Sequence, residues 1–269
     1  MTLTDGDTPP TSASERRELI ARLLGDSGRV SVVELATRFG VTDVSIRRDL
    51  SLLEENGQLR RVHGGAVTAA RGRSDFGYRM RLREHRDAKE RIGSVAAGMI
   101  SAGDVVVLDS GTTVAQVAVH VPVALRRPSG ITVITNSLPT IDEVGAWDNP
   151  HLICLGGLYL PEYQATVGPQ AVHDMAELSA DIAFIGCDGL TAETGLTTPH
   201  VLVAEVGATI AERARRIVAV ADGSKVGRRG LTPIVPLDAV HVLITDSSAD
   251  PAQLDRARQL GVEVVLADR

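Results

Sequence analysis

Apolar residues recur at helical spacing in the first quarter of the chain and as short unbroken runs in the rest, and this change of period divides the molecule. Val32, Leu35, Ala36 and Phe39 stand at i, i+3, i+4 and i+7, one stripe of a helix that Ser31 can cap. Gly40 stops it, supplying the positive φ that a tight corner needs, and Val41 fills the gap to the next helix. Thr42 caps that second helix, which keeps Ile46, Leu50 and Leu53, with Leu52 beside them, on its inner side. Asp43, Ser45, Arg47 and Arg48 point elsewhere. A further helix over about Ser14 to Leu24 precedes the pair, and Gln58 to Val62, followed by His63, Gly64 and Gly65, reads as a basic hairpin.

From residue 87 the period changes. A helix over about Ala88 to Ile100 precedes VVVLD (105–109). A helix from Thr113, ITVIT (131–135), a helix from Leu138, HLICL (151–155), DIAFIG (181–186), RIVAVAD (216–222), HVLIT (241–245) and VEVVL (262–266) follow. Continuous apolar runs alternating with amphipathic helices predict a doubly wound, mostly parallel α/β sheet covered on both faces. The expected layout is a disordered tail over 1–13, rich in Thr, Asp, Pro and Ser, then a winged helix-turn-helix domain over 14–69. An arginine-rich, partly ordered linker over 70–86 carries Phe76 and Tyr78, and the α/β domain occupies 87–269.

Charge follows the same division. Residues 14–91 hold 17 Lys+Arg against 12 Asp+Glu, and residues 92–269 hold 11 against 20, so a net charge of −6 hides a basic front and an acidic back. An acidic total does not exclude a DNA partner, because attraction to phosphates is local and screened beyond ~10 Å. Helix, glycine corner, helix and basic hairpin form the winged arrangement that reads double-stranded DNA. Arginines early in the second helix suit guanine edges, and hydroxyls suit bases or phosphates. The DNA-binding set is therefore Thr42, Asp43, Ser45, Arg47, Arg48, Arg60, Arg61 and His63, with Arg60 and Arg61 on the duplex backbone. Adjacent helical residues lie about 100° apart, so one of Arg47 and Arg48 should face the groove and the other a phosphate or Asp49.

The chain has no apolar run of about 18 residues and no secretion signal at its polar, acidic start, so a cytoplasmic protein with no membrane partner is expected. Cys154 and Cys187 lie in strand-like runs without ligand spacing, which predicts buried free thiols rather than a disulfide or zinc site. Neither a metal nor a cofactor is expected.

In a parallel sheet, ligands sit at the carboxyl ends of strands, near helix starts whose free N–H groups attract anions. Asp109, Ser110, Gly111, Thr112 and Thr113 follow the first strand of the sheet, and Thr135, Asn136 and Ser137 the second. Gly156 and Gly157 follow the third, Gly186 to Gly189 with Asp188 the next, and Asp222 to Lys225 another. Together they predict a small-anion site. Of 28 basic residues only Lys89 and Lys225 are lysine. A lysine kept against an arginine preference suits close approach by a compact point charge, a role that fits Lys225. Lys89 reads equally as a surface residue.

The segment ELATRFGVTDVSIRRDLSLLEENGQLRRVHGGA, with LDSGTT, TNS, LGG, FIGCDGL and ADGSK in order behind it, resembles the DeoR family of bacterial transcriptional regulators over about residues 14–230. The resemblance implies a sensor domain of ribose-5-phosphate isomerase-like fold that binds a phosphorylated sugar effector. It also implies a repressor of a carbohydrate operon, leaving its operator when the effector binds, and assembly as a homodimer or homotetramer. By position it places Ser110, Gly111, Thr112, Thr113 and Lys225 on the phosphate, and Asn136, Gly156 and Asp188 near the sugar. Thr42 and Ser45 stand where the family often has serine and threonine, and Tyr159 to Thr166 matches only loosely.

Two other classes remain. A sugar-phosphate isomerase or deaminase would use Asp188 and Glu205 as a general base and its partner. The related isomerases, however, carry a lysine-glycine-glycine loop where this chain reads Gly195-Leu196-Thr197-Thr198, and the missing lysine removes a stabiliser of the enediolate. An activator or a DNA-packaging protein without an effector has no use for phosphate-suited strand ends.

Overall fold

A computed structural model of the chain describes residues 12–55, 58–62, 64–67 and 73–268. It separates into two compact units that meet in sequence between Phe76 and Gly77.

The first unit runs α1 (Ala13–Ser27), β1 (Arg29–Ser31), α2 (Val32–Phe39), α3 (Asp43–Glu55), β2 (Arg60–Val62) and β3 (Gly65–Val67). Ser12 and Glu15 close a reciprocal capping box at the start of α1, so order begins inside the segment expected as tail. Gly40 takes φ +64° at the corner, and the Thr42 hydroxyl accepts the Ser45 N–H, as the sequence predicted. Ser31 stands at the start of α2 but its side chain makes no capping bond. There the chain is held by the sheet instead, through Val32 N–H to Gly64 O at 2.9 Å. Ile20, Leu24, Leu35, Phe39, Ile46, Leu50, Leu53 and Ala66 form one buried cluster, with Val41 packed against it. Leu52, expected inward, is exposed, because it lies one position beyond the Ile46, Leu50 and Leu53 stripe. The three strands pair antiparallel in the order β1-β3-β2, so the wing is a two-stranded ribbon with a third strand behind it.

The expected linker is largely helical: α4 (Arg73–Arg83) leads, after a corner at His85 with φ +51°, into α5 (Arg86–Ala97). Tyr78 is buried. Beyond α5 come β4 (Val105–Leu108), α6 (Thr112–His120), β5 (Thr132–Thr135), α7 (Leu138–Gly145), β6 (His151–Cys154), β7 (Leu158–Leu160), β8 (Ala165–Val167) and α8 (Pro169–Ala176). The chain continues through β9 (Ala180–Ile185), β10 (Gly189–Thr191), β11 (Gly195–Thr198), α9 (Val201–Arg213), β12 (Ala214–Val220), β13 (Thr232–Val235), β14 (Val242–Thr245), α10 (Pro251–Gln259) and β15 (Glu263–Leu266).

Seven of these strands form one parallel sheet in the order β15-β14-β12-β9-β4-β5-β6. Alternate residues feed two cores. Val106, Leu108, Ile182, Phe184, Val218 and Val220 pack on Ile92 and Ala96 of α5 and Val114 and Val117 of α6. Val107, Ala183, Ile185, Ile217 and Ala219 pack on Met175, Val206, Ile210 and Leu254 of the opposite helices. A sheet buried on both faces explains why its strands read as unbroken apolar runs. From β4 the chain moves outward to β5 and β6, then returns to β9 on the other side of β4, which makes the β4/β9 boundary the switch point of the sheet. The hairpin β7–β8 and the antiparallel sheet β10-β11-β13 were not visible as separate elements in the sequence pattern. Cys154 is exposed on the edge strand β6 rather than buried, and Cys187 is half-buried; both are free thiols. Among the described residues no helix is long and apolar enough to cross a membrane.

Candidate functional site

The first unit presents its chemistry on the outer face of α3. Ile46, Asp49, Leu50 and Leu53 face inward. Asp49 is buried and held by α1, through Arg16 Nε at 2.6 Å and Arg17 Nη1 at 3.4 Å. Asp49 is therefore not the partner of Arg47 or Arg48, as one alternative had it. Both arginines are exposed, and they stand three and four residues after Val44, so the three share one outward stripe. Val44 is 75% exposed, a position that sequence reasoning missed because a valine in a helix reads as core. On a surface carrying two arginines, an exposed apolar group is suited to a thymine methyl. Thr42 and Asp43 are exposed at the start of the helix, while the Ser45 hydroxyl lies 3.1 Å from that of Thr42.

The wing is tied to this helix. Arg61 donates its backbone N–H to Glu54 Oε1 at 2.8 Å and its guanidinium to Ser51 Oγ at 2.7 Å. Arg60 opens β2, and His63 lies outside the described residues.

In the second unit an open cavity of about 540 Å³, its mouth included, lies at the switch point. Its wall takes Asp109, Ser110, Gly111, Thr112 and Thr113 from the end of β4 and the start of α6, Gly186 to Asp188 from the end of β9, and Lys225 from the turn after β12. They include seven of the ten expected effector residues, Asp109 to Thr113, Asp188 and Lys225. Gly111 caps α6 with φ +129°, a backbone that side chains rarely adopt, and this aims the first N–H groups of the helix outward. Ser110 Oγ and one Asp109 carboxyl oxygen are buried with no hydrogen-bond partner among the described residues. Burial pushes the Asp109 carboxyl up to about 7, against the opposing effect of the Ser110 and Gly186 N–H groups.

Asn136, Gly156 and Gly157 are absent from that wall. They follow β5 and β6, on the far side of β4 from the switch point, and Asn136 and Gly157 seat the β7–β8 hairpin. Asn136 Nδ2 donates to Thr166 O at 3.0 Å, and Asn136 O accepts Thr166 N–H at 2.9 Å. A Cβ at Gly157 would stand 2.6 Å from Val167 O.

Between the two strands of that hairpin Tyr163 enters the cavity. Its hydroxyl donates to Asp188 Oδ2 at 2.9 Å, and Thr198 Oγ1 donates to the same oxygen at 2.9 Å. Burial, and then the Asp188 charge, push the Tyr163 phenol well above its usual value. Burial and Asp188 likewise push the Cys187 thiol up to about 12, which keeps it protonated and unreactive. Glu205 is exposed on α9 and absent from the cavity wall, so the pair proposed for an isomerase is not assembled.

Both lysines of the chain line this cavity. Lys89 is 3% exposed, not a surface residue, and its ammonium donates to Arg81 O. Burial holds it below the usual lysine value, partly offset by Asp222. Arg81 also lines the cavity, with its guanidinium 4.9 Å from the Tyr163 ring centre. The arginine preference that singled out Lys225 applied equally to Lys89. Tyr163, Thr198 and Arg81 carried no signal, because long-range packing brings them to the strand ends.

A winged helix-turn-helix followed in the chain by a doubly wound sheet, with charged and hydroxyl side chains gathered in a cavity at its switch point, is the construction of a DNA-binding regulator. Two family profiles match the chain, the DeoR-like helix-turn-helix domain over residues 16–71 and the DeoR C terminal sensor domain over residues 84–247. The chain belongs to the DeoR family of transcriptional regulators. It is 34% identical to the HTH-type transcriptional regulator GlpR of Haloferax volcanii, over 94% of this chain and 97% of the relative. Identity is 30% with a putative aga operon transcriptional repressor of Escherichia coli O157:H7 (97% and 96% covered) and with the repressor GlcR of Bacillus subtilis (95% and 96%). A ribose 5-phosphate isomerase from Methanocaldococcus jannaschii superposes with a TM-score of 0.39 at 20% identity, covering 53% of this chain and 55% of that one, too remote to carry a function across.

Proposed function

We propose that the chain represses a carbohydrate-related operon, in the cytoplasm and as a homodimer or homotetramer, and leaves its operator when a phosphorylated sugar occupies the cavity of residues 77–269. The observation that carries this reading is the cavity's mixed chemistry, anion donors and an acceptor carboxylate on one wall. The anion donors are the N-terminus of α6, the Ser110 hydroxyl, Lys89 and Lys225. The acceptor is Asp188, between two hydroxyl donors, where a carboxylate with remaining lone pairs can accept from a sugar hydroxyl. In this reading Ser110 to Thr113 and Lys225 hold the phosphate, while Asp109 and Asp188 border the sugar. Asn136, Gly156 and Gly157 act one step removed, through the hairpin. Two winged units, held together by sensor-domain association, read two half-sites, with Val44, Arg47 and Arg48 toward the bases and Arg60, Arg61 and His63 toward the phosphates. That relatives named as repressors span nearly the whole chain supports the direction of control.

Thermal unfolding of the full chain with a panel of pentose and hexose phosphates tests the reading. A ligand at 100 times its dissociation constant adds about 2.7 kcal/mol. The same ligand should lower operator affinity by the factor by which operator lowers ligand affinity. A panel that stabilises nothing, or a stabilising ligand without effect on operator binding, sinks the proposal.

A further inference from the structure

Arg81 is attached to the cavity at both of its ends. Its carbonyl, one of the last in α4 and so without a partner in its own helix, accepts from the Lys89 ammonium. Its guanidinium donates to Glu162 O and lies over the Tyr163 ring. Among the described residues no carboxylate pairs with it. Arg81 and Lys89 therefore place two cationic groups on the cavity wall, and one of them belongs to the helix that begins at Arg73, next in sequence to the DNA-reading unit.

We infer that Arg81 is a ligand-contacting residue and that, with Lys89, it forms a clamp through which an anion in the cavity fixes the end of α4. This rests on the reading of the cavity as an anion site and deepens it by naming the route of the signal. An ammonium has three donors and a guanidinium five, so Lys89 and Arg81 can each engage a bound anion without giving up their present carbonyl partners. Occupancy then holds α4 from two directions: Lys89 on its last turn of carbonyls, and the anion on the Arg81 side chain. The consequence is a stiffer junction between the cavity and the chain leading to the wing and its helices. Inorganic phosphate carries the charge that both cations need, so it should stiffen the junction without a sugar attached.

Backbone hydrogen exchange of the full chain, with and without inorganic phosphate at saturating concentration, reads both levels at once. Slower exchange at residues 111–115 reports anion binding, and slower exchange at residues 80–86, by about tenfold, reports the clamp. In Arg81→Gln the protection at 111–115 should persist while that at 80–86 is lost; Arg81→Lys, which keeps the charge, should restore part of it. Protection at 111–115 alone in the unaltered protein overturns the clamp and leaves the anion site standing. No protection at either segment removes both. If Arg81→Gln retains full protection at 80–86, Arg81 is not the contact.

Discussion

The two units handle charge in opposite ways. On the winged unit the working side chains stand in water: Val44, Arg47 and Arg48 are exposed, and the buried acid, Asp49, is neutralised from behind by two arginines of α1. In the second unit the candidate groups are withdrawn: Asp109, Ser110, Thr112, Thr113 and Lys89 are all buried, and Asp109 and Ser110 each keep one side-chain oxygen without a hydrogen-bond partner among the described residues. A duplex brings its own dense charge and needs only a complementary surface, which water can cover when DNA is absent. A small ligand must be recognised by a few atoms, and those atoms gain strength only where water is excluded. The acidic bulk of the chain and its basic front are consequences of that division.

The comparison can be broken most forcefully at the cores. Ile46→Ala should cost the winged unit about 2–5 kcal/mol. The single tryptophan, Trp147, lies in the second unit, so its fluorescence transition should stay in place while the helical signal gains an earlier step. A joint shift of both transitions would show that the units unfold as one.

Next in size is Asp109. Its carboxyl titrates near 7 in the folded chain and, when unfolded, near the usual ~4. Below both values folded and unfolded states hold the proton equally, and between them only the folded state does. Its contribution to stability therefore falls as pH rises through that window, by an amount on the order of a few kcal/mol. Asp109→Asn should flatten the stability profile between about pH 4 and 7, and equal slopes in both proteins would refute the assignment.

At the DNA face, Arg47→Ala or Arg48→Ala should lose roughly 1–3 kcal/mol of operator affinity per base contact. Arg61→Ala should weaken all sequences alike and reduce the salt slope by about one. None of the three should alter phosphate binding, as calorimetry of the free protein would reveal. The smallest effect is expected from Tyr163→Phe, which removes a single hydrogen bond to Asp188, worth about 1 kcal/mol. It should change the ranking of sugar phosphates in a thermal-shift panel while leaving inorganic phosphate unaffected.

Periodicity sufficed for the winged unit because its function and its core lie on one short, contiguous stretch. The stripe Ile46, Leu50, Leu53 and the corner at Gly40 are local rules, and they place Arg47 and Arg48 without knowledge of the rest. The seven parallel strands were readable for the same reason, each being an apolar run with a polar end. Which of those ends converge was not readable, since convergence depends on strand order. The return of the chain from β6 to β9 puts Gly186 to Asp188 beside Asp109, and sends Asn136 and Gly157 to another task. Lys89 stayed open for a different reason: at the start of an amphipathic helix a lysine looks solvated, and only packing shows it turned inward.

The hairpin of residues 158–167 is attached through the backbone and amide of Asn136, through Leu155 O, and through the Tyr163 hydroxyl, and among its residues only Tyr163 lines the cavity. Most of the insert is seated apart from the α6 end of the cavity, and Tyr163 is the one tip side chain that ties the two together. A lineage could exchange the tip and respond to a new nutrient while keeping its operator and its scaffold. For the engineer, grafting those ten positions between relatives is the shortest route to a biosensor with altered taste.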